Sequence, residues 1–509
     1  MYLLNRQEMK ELDARAINQW HFPSLILMEN AARSVTEALF NTYPDLLDRR
    51  IMFLCGPGNN GGDGLAVARM LHLKGAKVAV YIINEASDKK TSQDHAINRK
   101  IIDHLSVRVF DIQREAQLRL LKANINHSDL LIDAMFGVGL NRPVSPLVRE
   151  VITIVNEREV PVVAIDCPSG LNCDNGQAEG AVLQCQHTFT LSVPKMGFFC
   201  GLGREVCGEL QVLDIGIPEE VVASMDIQTT VLTQENLKKA FPKRPKDCHK
   251  HQFGHVGIIA GSVGMSGAAV LAAKAALRAG AGLVSVLVDK RVYHEVATVL
   301  PETMVRPVQW PSSSAVDWLL ERADVVLIGP GLGLDEAKEE TLRYLLDHAD
   351  IPLVIDADGL TMLARQPQTV LAEHTGEVIL TPHPGEFRRL NPKEEGDDRS
   401  RLLMAKAYAA ENGVTLVLKG FQTVVAAADG RSAVNGINTP ALATAGSGDV
   451  LAGLVAAFVG QDRPCYEAAG LAVALHGQCG QRCAERFGEN ATLAGDLIDV
   501  IAEELRRGE

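Results

Sequence analysis

Residues 50–76 read RIMFLCGPGNNGGDGLAVARMLHLKGA, an apolar run, a glycine-rich turn and a helical pattern in direct succession. A glycine-rich turn between a strand and a helix usually receives the phosphates of a dinucleotide, because the backbone amides and the positive end of the helix dipole meet there. Asn59, Asn60 and Asp63 are unusual in such a turn. Their oxygens suit hydroxyl groups or a hard monovalent cation, although asparagine also tolerates the left-handed backbone of a tight turn. The stretch therefore predicts an α/β fold and leaves the purpose of its polar side chains open.

Apolar runs alternate with helical patterns along most of the chain. The strand candidates are RIMFLC, KVAVYII, DLLIDAMF, VPVVAID, HTFTLSV and GELQVLDIG in the first half, and HVGIIAG, LVSVLV, DVVLIGPG, PLVIDAD, EVILTP, VTLVLKG and TVVAAA in the second. Their apolar residues are continuous rather than alternating, which is typical of parallel strands covered by helices on both faces. We therefore predict two α/β units, the first of them a Rossmann-like doubly wound sheet.

The segment between the two halves is rich in charge, polar residues and proline. We predict a first domain over residues 1–216, a linker over 217–234 and a second domain over 235–509. Both halves carry glycine-rich loops after a strand, but no residue-level repeat relates them, so two different domains are favoured over a duplication.

Composition excludes several classes of function. The chain has 509 residues, a formal net charge of -13 and 47% hydrophobic residues, so it has no basic surface of the kind that binds nucleic acid or an anionic membrane. The start lacks the pattern of a signal peptide and no apolar run has the length of a membrane span, so we expect a cytoplasmic protein. Ten cysteines occur without a CxxC pair. His476, Cys479 and Cys483 could share one side of a helix, where packing is favoured over zinc binding.

The most specific stretch of the second half is TAGSGDVLAGL, residues 444–454. Small residues open a helix there, so several amides converge on a place where an anion would fit. Asp449 would lie in the first helical turn, either as a base that deprotonates a substrate hydroxyl during phosphoryl transfer or merely as a cap of the helix. The stretch alone leaves both alternatives open.

Three further loops of the second half follow strands. LKGFQTVVAA (418–427) carries Lys419 and a threonine suited to nucleotide phosphates, and LIGPGLG (327–333) lets backbone approach a ligand closely. LTPHPGEFRRL (380–390) places His383 and Glu386 in a loop stiffened by two prolines. Ligands of open α/β sheets bind at such strand ends.

The order of FGHVGIIAGSVGMSGAAVLAAKAALRAGAGLV, IGPGLG, DADGL, TPHPGEF, LKGFQTVV and GSGDVLAGL resembles the ribokinase-like superfamily, and within it the ADP-dependent NAD(P)H-hydrate dehydratases, over residues 235–505. The resemblance implies that ADP phosphorylates the ring hydroxyl of the S hydrate, that phosphate is then eliminated, and that Asp449 is the base. It also implies magnesium at the nucleotide phosphates, with Glu386 near it. The implied hydrate contacts are Ala268, Gly331, Gly333, His383 and Asp449, and the implied nucleotide contacts are Lys419, Gly420, Phe421, Gln422, Thr423, Gly446 and Gly448.

In the first half, two more strands end in polar residues. Asp133 precedes a glycine loop, and Asp166 and Ser169 lie in DCPSGL, so three strand ends predict a crevice rich in oxygen and poor in cations. The second strand is followed by Glu85 and Asp88, which could hold a ribose in a dehydrogenase. A standard dinucleotide turn would not contain the Asn-Asn-Gly-Gly-Asp insertion.

The order GNNGGDG, DAMFGVGL and DCPSGL, with LMENAAR before it and TFTLSVPKMGFF after it, resembles the NAD(P)H-hydrate epimerases over about residues 5–215. The resemblance implies potassium bound by Asn60, Asp133 and Ser169. Asp166 is our choice for the acid-base group, with Lys195 as a second possibility. The implied substrate contacts are Asn59, Asn60, Gly61, Gly62, Asp63, Gly137, Val138, Gly139, Leu140, Asn141, Arg142, Pro143 and Asp166.

The sequence thus favours a bifunctional enzyme that repairs hydrated NADH and NADPH, with ADP as co-substrate and with a homo-oligomer expected. The alternative is a ribokinase-type small-molecule kinase fused to a non-catalytic dinucleotide-binding module.

Overall fold

The structure is a computed structural model that describes residues 1–84, 91–238, 240–241, 244–366, 370–392 and 401–508. Glu85 and Asp88, considered above as ribose ligands, lie outside the described residues. The chain forms two compact units, residues 2–227 and residues 228–509 together with Met1, which we call the N-terminal and C-terminal units. Within the described residues, no helix has both the length and the apolar character needed to span a membrane.

The N-terminal unit is built on one parallel sheet. Its described strands are β1 (Arg50–Cys55), β2 (Lys77–Ile83), β3 (Arg108–Ile112), β4 (Leu130–Ala134), β5 (Val162–Ile165), β6 (His187–Leu191) and β7 (Glu209–Leu213). Its described helices are α1 (Arg6–Asn18), α2 (Ser24–Thr42), α3 (Asn59–Leu73), α4 (Gln93–Asp103), α5 (Leu118–Ile125), α6 (Pro146–Asn156), α7 (Gly203–Val206) and α8 (Glu219–Ala223). The strands pair in the order β3-β2-β1-β4-β5-β6-β7.

Strand β1 shows that both faces of this sheet are covered. Ile51 and Phe53 belong to an apolar cluster with α2 and α3, whereas Met52 and Leu54 belong to a cluster with α5 and α6. The strand order reverses between β1 and β4, which is where doubly wound sheets open a crevice at their carboxyl edge. The predicted Rossmann-like fold is confirmed.

The C-terminal unit is built on a larger mixed sheet. Its described strands are β8 (Thr229–Leu232), β9 (His255–Ile259), β10 (Leu283–Asp289), β11 (Met304–Val308), β12 (Val325–Ile328), β13 (Leu353–Ile355), β14 (Val378–Leu380), β15 (Thr415–Leu418), β16 (Val424–Ala426) and β17 (Ser432–Asn435). They pair in the order β11-β10-β9-β12-β13-β14-β15-β16-β17-β8, with antiparallel pairing on both sides of β16 and parallel pairing elsewhere.

Helices cover this sheet as well. Those described are α9 (Gln234–Lys238), α10 (Ser266–Arg278), α11 (Tyr293–Val299), α12 (Ser313–Leu320), α13 (Glu336–His348), α14 (Asp358–Leu363), α15 (Val370–Glu373), α16 (Pro384–Leu390), α17 (Arg401–Asn412), α18 (Ser447–Gly460), α19 (Cys465–Phe487) and α20 (Ala494–Gly508). Helix α18 is buried along most of its length and packs against α10 and α19. At Gly453 a Cβ atom would lie 2.3 Å from the carbonyl oxygen of Ala272, so glycine permits the close approach of α10. The core of the unit therefore fixes where α18 begins.

The segment predicted as a linker, residues 217–234, contains regular structure in both units. Val221 of α8 is buried in a cluster with Leu4 and Leu12, and Val231 of β8 pairs with Val434 of β17 at the edge of the C-terminal sheet. The two units divide between residues 227 and 228. Polar residues dominate this segment, so its composition did not indicate that Val221 and Val231 are buried.

Candidate active sites

In the N-terminal unit, the loops at the carboxyl ends of β1, β4 and β5 surround a cleft of about 810 Å³. Of the residues predicted to contact substrate, those that line the cleft are Asn59, Asn60, Asp63, Gly137, Val138, Gly139, Leu140, Asn141, Arg142 and Asp166. Gly61, Gly62 and Pro143 are not part of the lining. A Cβ atom on Gly61 would lie 1.8 Å from the carbonyl oxygen of Gly56, so this glycine lets the turn fold back on β1.

The first turn of α3 faces the cleft without a side-chain cap. Gly58 is the N-cap residue and makes no capping hydrogen bond, so the amides of the first turn keep their capacity to bind a ligand. Asn60 is buried in this turn; its Nδ2 donates to the carbonyl oxygen of Ile165 at 3.1 Å, and its Oδ1 has no hydrogen-bond partner.

Asp166 is fixed by a buried ion pair. Its Oδ1 accepts a hydrogen bond from Lys195 Nζ at 2.5 Å, and its Oδ2 accepts one from the amide of Val138 at 3.1 Å. Lys195 is fully buried and donates its remaining protons to Thr190 Oγ1 and to the carbonyl oxygen of Leu191. The φ angle of Asp166 is 67°, a left-handed conformation that is uncommon outside glycine and that aims the carboxylate into the cleft.

Further carboxylates face the same space. Burial, and then the charge of Asp166, raises the pKa of Asp63 well above its ordinary value. Burial, and then the charge of Asp166, raises the pKa of Asp13 on α1 to about 6, while the charge of Lys195 opposes the shift. Asp94 on α4 also lines the cleft. Sequence reasoning missed Asp13 and Asp94, because an aspartate on a polar helix carries no local sign that tertiary packing will turn it toward a cleft.

Asp133 and Ser169 lie in direct contact. Ser169 donates from Oγ to Asp133 Oδ1 at 2.6 Å and from its amide to Oδ2 at 2.7 Å, and burial raises the pKa of Asp133 to about 6. Asn60 lies near Asp166 across Gly137, where a Cβ atom would contact both side chains. In the described part of the chain, no group of three or more His, Cys, Asp and Glu residues is arranged to bind a metal ion. The amide oxygen of Asn60 and the hydroxyl of Ser169 fall outside that set, and they are donors that suit potassium.

In the C-terminal unit, α18 begins at a turn suited to an anion. Gly446 precedes the helix with a φ angle of 85° and makes no side-chain cap, so Asp449 in the first turn does not cap the helix. Burial, and then the charge of Asp356, raises the pKa of Asp449 to about 6; Lys419 opposes the shift, and Asp358 and Glu386 add to it.

Lys419 lies at the centre of this site. Its Nζ donates to Asp356 Oδ1 at 2.7 Å and lies 3.9 Å from Glu386 Oε2. Burial alone would lower the pKa of Lys419, but Asp356 and Glu386 outweigh it, so the pKa is raised. A Cβ atom on Gly448 would lie 3.3 Å from Nζ, which places the lysine beside the first turn of α18. The turn at 419–423 is braced by Arg401, which donates to the carbonyl oxygens of residues 418, 419 and 421.

His383 and Glu386 form a reciprocal cap at the start of α16. His383 Nδ1 accepts hydrogen bonds from the amides of Gly385 and Glu386, while Glu386 Oε2 accepts one from the amide of His383 at 2.7 Å. Because Nδ1 is an acceptor, the ring hydrogen sits on Nε2, which lies 3.5 Å from Glu386 Oε1. Burial, and then the charge of Lys419, lowers the pKa of His383.

Ala268, Gly331 and Gly333, the other predicted hydrate contacts, form a second group. Asp358 links this group to the residues around Asp449. A Cβ atom on Gly331 would lie 2.9 Å from Cβ of Ala268, so these two residues are adjacent. The amide of Gly333 donates to Asp358 Oδ2 at 2.7 Å, and the charge of Asp358 acts on Asp449.

Comparison with known proteins finds a family match in each of the two units. Residues 24–197 match the family model described as YjeF-related protein N-terminus, and residues 256–503 match the model described as NAD(P)H-hydrate dehydratase. The bifunctional NAD(P)H-hydrate repair enzyme of Moorella thermoacetica is 38% identical, covering 99% of this chain and 97% of the relative. That of Escherichia coli is 33% identical, covering 93% of this chain and 88% of the relative. The chain belongs to the family of bifunctional NAD(P)H-hydrate repair enzymes.

A solved structure supports the assignment of the second unit within this repair family. The ADP/ATP-dependent NAD(P)H-hydrate dehydratase from Bacillus subtilis, co-crystallised with ATP and Mg²⁺, is 33% identical with a TM-score of 0.50, and the match covers 55% of this chain and 99% of that chain. The predicted ribokinase-like fold is confirmed, as is the predicted membership of a bifunctional repair family.

Sequence reasoning for this family member missed Asp356 and Asp358 as parts of the site. Both follow β13 in DADGL, and Ala357 between them adopts a φ angle of 50°. A pair of acids at a strand end was the available signal. Asp356 contacts Lys419, which lies 63 positions later in the sequence, so the local pattern around Asp356 does not indicate this contact.

The Asp166–Lys195 pair generates a stability prediction. Replacing Lys195 with Met removes the partner of a buried carboxylate and should lower the free energy of unfolding of the N-terminal unit by about 3–5 kcal/mol. Hydrogen exchange of peptides from β5 and β6 measures this, with peptides from β9 and β12 as a reference from the other unit.

Lys10→Met is the matched control, because Lys10 lines the same cleft but is exposed. In the double variant Lys195→Met/Asp166→Asn, protection of β5 and β6 should partly return, since the unpaired charge is gone. Equal effects of the Lys10 and Lys195 variants would contradict the buried-pair interpretation.

Proposed function

We propose that the N-terminal unit interconverts the R and S forms of hydrated NADH and NADPH, and that the C-terminal unit dehydrates the S form with ADP, giving AMP and phosphate. The observation that carries this proposal is Asp449, a carboxylate in an uncapped helical turn beside Lys419. Two activities are complementary, because a stereospecific dehydratase alone would leave the R form unrepaired.

For the first unit, we assign the acid-base work to Asp166. The hydrate carries a hydroxyl on a ring carbon bonded to nitrogen, so moving the hydroxyl proton to that nitrogen as the carbon–nitrogen bond breaks opens the ring to an aldehyde and an amine. Closure on the other face of that aldehyde, with return of the proton, gives the other epimer. Asp166 lines the cleft, whereas Lys195 is fully buried with its protons directed to protein acceptors. This arrangement favours Asp166 as the proton shuttle and Lys195 as the residue that orients it.

The cleft offers contacts for the rest of the dinucleotide. We propose that residues 59–63 bind it through the amides of the first turn of α3, and that the loop 137–143 closes over it. Glycines in that loop leave room for the ligand, since a side chain at Gly137 would meet Asp166.

Potassium is proposed at Asn60, Asp133 and Ser169. The buried Asn60 Oδ1 without a partner, together with carboxylate and hydroxyl oxygens, is a donor set that fits a hard cation. When bound, potassium would supply positive charge in a cleft otherwise dominated by carboxylates.

For the second unit, we propose that Asp449 takes the proton of the ring hydroxyl as that oxygen attacks the β-phosphoryl group of ADP and AMP departs. The ring nitrogen then expels phosphate, and loss of a proton from the neighbouring carbon restores the dihydropyridine. Amides of the first turn of α18, including those at Gly446 and Gly448, and the Lys419 ammonium are suited to stabilise charge on the transferred oxygens.

For the ligand contacts, we propose those that the family resemblance implies. The nucleotide is assigned to the braced turn from Lys419 through Thr423, and the hydrate to Ala268, Gly331, Gly333 and His383, whose Nε2–H can donate. Magnesium is proposed on the nucleotide phosphates, where it would neutralise charge. Glu386 already accepts from the amide of His383, so it would reach the ion through water.

The assay is direct. Purified protein with mixed hydrates, ADP and magnesium should regain the absorbance of the reduced nicotinamide in full, with AMP and phosphate formed in equal amounts. Asp449→Asn should abolish the recovery. Asp166→Asn should stop it at the S share of the pool, because the R form can no longer be converted. A stable phosphorylated product without recovery would support the small-molecule kinase alternative, and full recovery by Asp166→Asn would support a non-catalytic first unit.

The potassium assignment predicts a separate ionic requirement. Exchange of potassium for tetramethylammonium should slow the R share of recovery while the S share proceeds, and Asn60→Ala should remove the response to potassium. Asn41→Ala is the control, since Asn41 is exposed near the end of α2 and does not line the cleft. An R share independent of potassium in the parent protein would overturn the assignment.

The pKa of Asp449 sets the acidic limb of the pH profile of the dehydration rate, which is the range where the rate falls as the pH drops. Because its pKa is raised to about 6 and the base is the ionised form, activity on the S hydrate should be present above that pH and fall as the pH drops through it. Asp358→Asn removes one of the charges that raise the pKa yet keeps an acceptor for the amide of Gly333, so the limb should move to lower pH. Asp347→Asn on α13 serves as a charge-matched control, and a limb that stays in place in Asp358→Asn would contradict the assignment.

A further inference from the structure

His476 lies directly behind the anion-binding turn. It is buried on α19, and its Nε2 is 3.1 Å from the hydroxyl oxygen of Ser447, the first residue of α18. Ser447 is itself buried and lies two residues before Asp449. The residue considered from the sequence as a zinc ligand therefore contacts the start of the proposed phosphoryl-transfer helix.

Few hydrogen bonds hold the first turn of α18, although the core packs against most of the helix. The N-cap residue is Gly446, which has no side chain to bond the first-turn amides. The amide of Ser447 donates to the carbonyl oxygen of Thr444 at 3.3 Å, a long bond. Amides kept available for an anion cannot also restrain the turn by hydrogen bonds, so a hydrogen bond from another helix adds a restraint that apolar packing does not supply.

His476 can supply this restraint without adding charge. Burial lowers its pKa to about 4, so the ring is neutral near pH 7, although a hydrogen bond with the backbone of Ser447 partly opposes the shift. A ring N–H donated to oxygens of Ser447 leaves the serine hydroxyl hydrogen directed elsewhere. The neutral ring thus fixes the turn and leaves both the amides and the hydroxyl as donors for an anion.

The neighbouring cysteines do not share this arrangement. Cys479 and Cys483 belong to the apolar core cluster of the C-terminal unit, and burial raises the pKa of both thiols. The described residues contain no metal-binding group of His, Cys, Asp and Glu that includes them. Of these three residues, His476 is therefore the one that contacts the start of α18.

We propose that His476 is a positioning residue for phosphoryl transfer, holding Ser447 and the first turn of α18 so that their donors meet the transferred phosphoryl group. This rests on the proposed function of the C-terminal unit. Donors to a developing charge act only when they are already in place, so a displacement of the turn should affect turnover more than nucleotide binding.

The test compares His476→Leu, His476→Gln and Ser447→Ala in the full chain, measuring kcat and the KM for ADP on the S hydrate. His476→Leu should lower kcat about 10–100-fold with little change in KM, as expected for a misplaced donor set. His476→Gln keeps an N–H donor and should recover most of the loss. Cys479→Ala, one turn away and equally buried, is the control for disturbance of the core and should leave kcat near that of the parent.

A double variant distinguishes a positioning role of His476 from a general contribution of this residue to the stability of the core. His476→Leu combined with Ser447→Ala should be no slower than His476→Leu alone, because both changes remove the same contact. Additive losses, an unchanged kcat in His476→Leu, or equal losses in Cys479→Ala would overturn the proposal. Hydrogen exchange of peptides from β9 and β12 in each variant reports whether the C-terminal unit is folded, and absence of ADP-dependent recovery in the parent protein would instead defeat the proposed function.

Discussion

A lysine paired with an aspartate at the end of a strand organises each site. Lys195 and Asp166 are joined at 2.5 Å in the N-terminal unit, and Lys419 and Asp356 at 2.7 Å in the C-terminal unit. Neither charge could be buried alone, since an unpaired ion in a protein interior costs several kcal/mol. Each pair therefore fixes the loop that carries it, and the remaining groups of the site are placed around the pair. Asp166 adopts its left-handed backbone within this constraint, and the turn after Lys419 is braced by Arg401.

Both sites nevertheless hold more carboxylates than lysines. Asp13, Asp63 and Asp94 surround Asp166, and Asp358, Glu386 and Asp449 surround the second pair. Burial, and then the charge of a neighbouring carboxylate, raises the pKa values of Asp13 and Asp449 to about 6, where a carboxyl group can both give and take a proton near neutrality. A dinucleotide is itself anionic, so it cannot be held by these side chains alone. The uncapped first turns of α3 and α18 supply part of the missing positive potential, and cations at the proposed potassium and magnesium sites would supply the rest.

The sequence was most informative at the carboxyl ends of neighbouring parallel strands, which the sheet brings together. The strand ends at Asp133 and Ser169 were expected to meet, and the two side chains bond at 2.6 Å. Contacts between strands that are not neighbours, or between packed helices, were not accessible in this way, as Lys419 with Asp356 and Ser447 with His476 show. The edge strands β3 and β8 were missed for a related reason, whereas the edge strand β7 was predicted. Strand β3 is half exposed and carries Arg108 and Asp111, and β8 falls in a polar segment, so neither has the continuous apolar pattern of the central strands.

In the turn GPGNNGGDG, packing and the lining of the cleft are met by different residue types. Gly61 and Gly62 lie against the carbonyl oxygen of Gly56 and the side chain of Met28, so they are glycines because the turn is packed. The ligand-facing positions are Asn59, Asn60 and Asp63, which line the cleft. Asn60 uses its amide nitrogen on the carbonyl oxygen of Ile165 and leaves Oδ1 free, an orientation that aspartate could not reproduce because it has no donor. Asparagine at this position thus ties α3 to the end of β5 while it keeps an oxygen available for the proposed potassium ion.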